Sequence, residues 1–217
     1  MKNIYLVGFM ATGKTCVGKE LAAKKKMRFL DLDELIELKE RRTISDIFTQ
    51  YGEPGFRRIE KRILKEVAKE INFVVACGGG IVIDPENIKI MKENGVIVCL
   101  TAKPEVILKR ASGATHRPLL NVCNPKEQIG HLLKLRAPFY ARADHVIDTS
   151  KLSVEQVVQK IIGVTKSLCF RTAYRVPCTA PSIRHKLTKA QDTKSKVTSK
   201  NKSTRKNKIK TARINKQ

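Results

Sequence analysis

The chain has 217 residues, with 44 Lys and Arg against 20 Asp and Glu for a net charge of +24, a length that holds one or two small domains. No run approaches the roughly 18 apolar residues of a membrane span, and Cys16, Cys77, Cys99, Cys123, Cys169 and Cys178 form no C-x-x-C pair of the kind that suggests zinc. The charge is uneven: residues 1–165 carry a net +9 from 28 basic and 19 acidic residues, and residues 166–217 a net +15 from 16 basic residues against Asp192 alone.

Ile4–Val7 is a short apolar run that predicts a first strand. It is too short for the apolar stretch of a signal peptide, so none is expected. Gly8-Phe9-Met10-Ala11-Thr12-Gly13-Lys14-Thr15 follows at once and fits the phosphate-binding pattern G-x-x-x-x-G-K-[ST], between a strand and a helix as the pattern requires. Inward-turned backbone N–H groups make an anion nest, and a helix N-terminus adds positive dipole character there. Lys14 is placed to reach the β- and γ-phosphates, and the Thr15 hydroxyl to ligate Mg²⁺.

A helix is predicted over 14–25 and a second strand over 28–32. Phe29-Leu30-Asp31-Leu32-Asp33 puts two carboxylates at that strand's end, pointing the same way if the period-2 alternation holds. One can assist Mg²⁺ through water while the other accepts a hydroxyl proton during phosphoryl transfer. Asp33 also suits a helix N-cap. Helical stretches follow over 33–40, 44–51 and 55–70, with Arg57 and Arg58 adjacent near a helix start. Arginine grips carboxylates bidentately, and one of the pair should face inward and the other solvent.

Phe73–Cys77 reads as a buried strand ending in Gly78-Gly79-Gly80, which lets backbone approach a ligand closely. Asp84-Pro85 caps a helix to about Glu93, which Gly95 ends. A strand over 96–100 and a helix over 104–110 come next. Ser112 to Asn124 has turn residues and little periodicity, so a mobile lid is expected, with Arg117 able to stabilise charge on a transferring phosphate. Asn124-Pro125 starts a helix to about Ala141 carrying Arg136, a second candidate carboxylate clamp, and Pro138 should kink or end it. His145–Ile147 is the last strand, and Ser153-Val154-Glu155-Gln156 looks like a capping box for a helix ending near Gly163.

Alternating strands and helices with continuous apolar strands predict an α/β domain, a three-layer P-loop fold with a parallel sheet of about five strands and helices on both faces. Ligands should bind at the carboxyl ends of the strands, where the Gly8 loop, Asp31/Asp33 and the Gly78 turn converge. Residues 166–217, rich in Lys, Thr, Ser and Asn, cannot bury enough apolar area to offset chain entropy, so a disordered tail is expected. Weak electrostatic attachment to a polyanion is the function open to it. Cys77 and Cys99, in apolar runs, should be buried thiols of a protein in a reducing cytosol.

Taken together the motifs resemble shikimate kinase, in the P-loop group similar to nucleoside-monophosphate kinases. The residues that carry the likeness are Gly8 to Gly18, Phe29 to Asp33, Gly52-Glu53 with Phe56-Arg57 and Glu60, the triple glycine, Arg117-Pro118-Leu119-Leu120, and Arg136-x-Pro138-x-Tyr140 with Ala143. They span residues 1 to about 162 in the family's order. The resemblance implies ATP-dependent phosphorylation of the 3-hydroxyl of shikimate, with gluconate as the rival acceptor for a related kinase, and a monomer. It implies that Ala11, Thr12, Gly13, Lys14, Thr15 and Cys16 hold ATP phosphates, with Thr15 on Mg²⁺. Arg110 and the loop from Thr149 to Ser153 would border adenine, and Arg117 would be the lid arginine on ATP. Asp33 would bind the shikimate hydroxyls and act as base. Arg57 and Arg136 would clamp its carboxylate, with Arg58 as their neighbour, and Gly79 would contact the ring. Ala11 stands where many members carry glycine, which disfavours a positive φ. Cys77 stands where Ser or Thr is common, so the chain offers a thiol in place of the hydroxyl that would support a water-bridged Mg²⁺ contact there.

Overall fold

The computed structural model describes residues 2–111 and 124–165. The expected lid with Arg117 and the expected tail 166–217 lie outside the described residues. Five strands form one sheet: β1 (Asn3–Val7), β2 (Arg28–Asp31), β3 (Phe73–Ala76), β4 (Gly95–Thr101) and β5 (His145–Asp148), in the order β2-β3-β1-β4-β5. Every pairing is parallel, with Leu6 of β1 opposite Ala76 on one side and Val98 on the other. All carboxyl ends therefore share one edge. From β1 the chain fills first one side of the sheet and then the other, so the strand order reverses beside it. That switch point is where ligands bind in open α/β sheets.

The helices described are α1 (Lys14–Lys25), α2 (Leu32–Glu40), α3 (Ile44–Ala68), α4 (Pro85–Asn94), α5 (Pro104–Ala111), α6 (Pro125–Tyr140) and α7 (Val154–Thr165). Ile4, Leu6, Val98 and Leu100 pack with Val17 and Leu21 of α1 and Val158 and Ile161 of α7. Tyr5, Val75 and Ile97 are equally buried, and strand alternation turns them to the opposite face. Each such side chain contributes about 1.5–3 kcal/mol by leaving water, which is why the strands read as unbroken apolar runs.

Caps fix where the helices start. Thr43 and Asp46 form a reciprocal capping box on α3, and Ser153 and Gln156 form the one expected on α7. Asp84 accepts from the Glu86 N–H ahead of α4. Asn124 makes no side-chain cap on α6, contrary to expectation, although Pro125 takes the first helical position.

Other boundaries also differ from expectation. The two helices expected over 44–51 and 55–70 are both present within α3, separated by the non-helical Gly52 (φ 63°, ψ −177°), and the second ends at Ala68 rather than at 70. Gly95 ends α4 by entering β4 in an extended conformation rather than a left-handed cap; a Cβ there would collide with the Asn3 carbonyl. Pro138 sits inside α6, which runs on to Tyr140. A short 3₁₀ turn at Ile81–Ile83 was not expected.

Candidate active site

The glycine-rich loop leaves β1 at Gly8, whose φ is 133° and whose missing Cβ would overlap the Leu100 carbonyl of β4. Gly13 (φ 97°) is the N-cap of α1, and no side chain caps that helix. The first-turn N–H groups are thus left for an anion. Between them Ala11 takes φ 58°, the left-handed value its sequence disfavours, at a cost of roughly 1–2 kcal/mol. The loop geometry therefore overrides the residue's preference, a pattern typical of functional turns.

The Lys14 ammonium donates to the Gly8 and Phe9 carbonyls, both at 2.9 Å. Burial pushes its pKa down to about 8, with Asp33 the largest opposing influence. The Thr15 hydroxyl donates to Asp31 Oδ2 at 3.0 Å. Cys16, next along, is exposed.

The two aspartates come together differently from the alternation argument. β2 stops at Asp31, which N-caps α2 by accepting from the Asp33 N–H at 3.1 Å. Asp33 lies in the first turn of α2, so a helix cap and not strand alternation sets their spacing. The cap role falls to Asp31, which leaves the Asp33 carboxylate free for the cleft. Burial, reinforced by the Asp31 charge, raises the Asp33 pKa to about 6 against the pull of Lys14 and Arg57.

The opposite wall comes from α3, α6 and the triple glycine. Arg57 Nη1 donates to Glu60 Oε2 at 2.6 Å and Nη2 to Glu53 Oε1 at 3.0 Å. Burial opposes the guanidinium charge, but the two glutamates outweigh it and the Arg57 pKa is raised. Arg58 is exposed and takes the solvent-facing position of the pair, not a place beside the clamp. Arg136 lies over the Phe9 ring, 5.6 Å from its centre. The Tyr140 hydroxyl donates to the Gly79 carbonyl at 2.9 Å.

Each glycine of 78–80 meets a different charged neighbour. A Cβ on Gly78 would sit 2.9 Å from Glu60 Oε1 and 3.1 Å from Asp33 Oδ1. On Gly79 it would sit 3.2 Å from the Gly8 carbonyl and 3.5 Å from Arg136 Nη1, and on Gly80 it would overlap the Arg57 guanidinium. Glu60 and Asp33 crowd the turn at Gly78, the Gly8 carbonyl at Gly79 and the Arg57 guanidinium at Gly80, which leaves little room for a side chain at any of the three.

Ile44, Phe48 and Phe56 add an apolar patch, and the cleft enclosed holds about 750 Å³. It brings together Ala11 to Cys16, Asp33, Arg57, Gly79, Arg110 and Arg136; Arg117 lies outside the described residues. Reasoning from sequence placed Glu60 in the matching motif but gave it no role; it is fully buried, with Oε1 lacking a hydrogen-bond partner. Burial raises its pKa while Arg57 opposes. Its position three residues after Arg57 was the available signal. Cys77 and Cys99 are buried thiols as expected. Cys77 points at the Val75 carbonyl, and burial raises its pKa well above the ordinary thiol value, so it offers a neutral thiol where an oxygen donor is common.

A loop of the phosphate-binding pattern and a half-buried carboxylate in one cleft with two arginines define a P-loop kinase acting on a small molecule. Residues 10–166 match the family model described as shikimate kinase, and the chain belongs to that family. Shikimate kinases of Thermoanaerobacter pseudethanolicus and Thermodesulfovibrio yellowstonii are each 49% identical over 162 residues, 75% of this chain and 95% and 94% of theirs. Among solved structures, shikimate kinase from Acinetobacter baumannii in complex with shikimate superposes with a TM-score of 0.73 at 38% identity, covering 79% of this chain and 96% of that one. The Aquifex aeolicus shikimate kinase gives 0.68 at 32%, over 78% and 99%.

Proposed function

We propose that the chain transfers the γ-phosphoryl group of ATP to the 3-hydroxyl of shikimate, giving shikimate 3-phosphate and ADP. The observation that carries this reading is the position of Asp33, in one cleft with Lys14 on the phosphate side and Arg57 and Arg136 on the other. An acid with a reactive alcohol needs those three chemistries in that order.

Arg57 and Arg136 would hold the shikimate carboxylate through charge-assisted hydrogen bonds. Arg57 arrives already oriented by Glu60 and Glu53, so little ordering entropy is lost on binding. Asp33 would take the 3-hydroxyl proton as that oxygen attacks phosphorus. The new O–P bond forms as the bond to the β-bridging oxygen breaks, and ADP leaves. A carboxylate with a pKa of about 6 suits a base working near neutrality. Lys14 would exchange its two carbonyl partners for phosphate oxygens and offset the charge developing there. Arg110 would border adenine, and Arg117 would close on ATP as the lid arginine.

Thr15 and Asp31 present adjacent hydroxyl and carboxylate oxygens beside the phosphate loop, the hard donors Mg²⁺ takes when substrate phosphates and water complete its shell. When bound, the ion would screen the phosphate charges. Residues 1–165 would suffice for the reaction, since the family match ends at 166. The tail would add at most weak polyanion binding. The free thiols at Cys16, Cys77 and Cys99 suit a cytoplasmic enzyme.

A coupled ADP-release assay with ATP and a panel of shikimate, gluconate and other hydroxy acids tests the reading. ADP release with shikimate alone is expected. Preference for gluconate, or no acceptor-dependent release at all, would overturn it.

A further inference from the structure

We infer that Thr149 is a positioning residue for the nucleotide: its buried hydroxyl locks Arg110, the end of β4 and the phosphate loop into the one arrangement that receives ATP. The inference rests on the reading of this wall as the ATP side.

Thr149 follows β5 directly and is 2% exposed. Arg110, in the last turn of α5, grips it twice: Nη1 donates to Thr149 Oγ1 at 2.9 Å and Nη2 to the Thr149 carbonyl at 2.8 Å. The hydroxyl's single proton has two carbonyl acceptors, Thr101 at 3.0 Å and Thr12 at 3.3 Å. The Thr149 N–H also donates to the Thr101 carbonyl, at 2.8 Å. Thr12 is itself buried inside the phosphate loop, with its hydroxyl on the Phe9 carbonyl at 2.8 Å. One residue later, Ser150 Oγ accepts from the Lys103 N–H at 2.9 Å, so the turns after β4 and β5 are joined twice.

A hydroxyl does here what neither a methyl nor an amide can. It accepts from a cation and donates to a carbonyl through one atom, and so transmits the place of Arg110 to the phosphate loop. Valine has the same shape with neither capacity. It would leave Arg110 Nη1 without that acceptor and the Thr12 carbonyl without that donor, a loss set by the charged partner. The Thr149 hydrogen bonds run to Arg110, Thr101 and Thr12, and none runs to Arg57 or Arg136. The effect should therefore fall on ATP and ADP and leave the acid substrate alone.

The test uses the full-length protein with Thr149→Val, Thr149→Ser and Arg110→Ala. ADP affinity is read by calorimetry, alongside KM for both substrates and the melting temperature. Thr149→Val should weaken ADP binding and raise KM for ATP by roughly tenfold, with KM for shikimate within about twofold. Serine keeps the hydroxyl and should restore ADP affinity to within about threefold of the native value. Unchanged ADP affinity in folded Thr149→Val, or equal losses for both substrates, would overturn the inference. Should the valine variant not fold, unchanged ADP affinity in Arg110→Ala would do the same. ADP titration needs no acceptor, so loss of ADP binding without turnover of shikimate would count against the proposed reaction and not against this role.

Discussion

The two walls of the cleft are built on opposite principles. The nucleotide wall is main chain: glycines at 8 and 13, an uncapped helix N-terminus, and side chains such as Lys14, Thr12 and Arg110 spent on carbonyls. The acid wall is side chain: Arg57, Glu60, Asp33 and Arg136 crowd around three glycines. Backbone amides recognise phosphate on any nucleotide and need only the right turn. On the proposed reading, charged side chains recognise one small acid, and Arg57 is held by the buried Glu60, an arrangement that costs stability. The acid wall should therefore be easier to break with a point change, and its failures should appear in chemistry and acid binding before they appear in folding.

The largest effect expected is from Asp33→Asn. Loss of a general base lowers kcat by roughly 10²-fold or more. The melting temperature at neutral pH should not fall. The folded pKa of about 6 lies above the ordinary 3.8, so the fold favours the protonated form. The stabilising contribution of a neutral Asp33 is present at low pH and is lost as pH rises through about 6, and asparagine keeps that neutrality at pH 7. Near-native turnover in the variant would refute the assignment.

Next is the triple glycine. Gly80→Ala would drive a methyl group into the Arg57 guanidinium, and Arg57→Ala or Arg136→Ala removes a clamp outright. Each should raise KM for shikimate by roughly 10- to 100-fold, the scale of a charge-assisted pair, while KM for ATP stays within about twofold. Steady-state kinetics with each substrate varied in turn separates the walls. A shift in the ATP constant would move these arginines to the other side.

The pH profile reads both walls at once. Activity should fall below about 6 as Asp33 takes a proton, and above about 8 as Lys14 loses one. Plots of kcat/KM against pH report the free enzyme, so the bell should appear there. A flat profile from pH 5 to 9 would exclude both assignments.

The smallest effect expected is from removing residues 166–217. A 1–165 chain should keep kcat and both KM values within about twofold, because the family match ends at 166. A large loss would extend the catalytic domain into the tail.

Much of this was legible in the sequence because strands and the phosphate loop are local signals. Val74, Val75 and Val98 sit in unbroken apolar runs, and Gly8 to Thr15 carries its own spacing. The α1 bounds expected from sequence, 14–25, are those observed. What was not legible depends on competition between local interactions and on contacts that only the folded chain makes. The end of β2 at Asp31 is set by a side-chain cap competing with strand pairing, and period-2 reasoning has no means of seeing that competition. Ala11 at φ 58° obeys the loop around it and not its own preference. Arg57 could be read as a clamp, whereas the i,i+3 spacing of Glu60 was only a weak signal of their pairing, since such an acid is usually solvated. The Thr149 hydroxyl acts on residues 39 and 137 positions away, which only the closed sheet brings together.

The central claim is that a carboxylate held by Arg57 and Arg136 presents an alcohol to Asp33. The most direct test compares turnover of shikimate with that of its methyl ester under saturating ATP. The account predicts that kcat/KM falls by roughly 10²-fold or more for the ester, since two charge-assisted contacts are lost together, with KM for ATP unchanged. Equal turnover of acid and ester would contradict it.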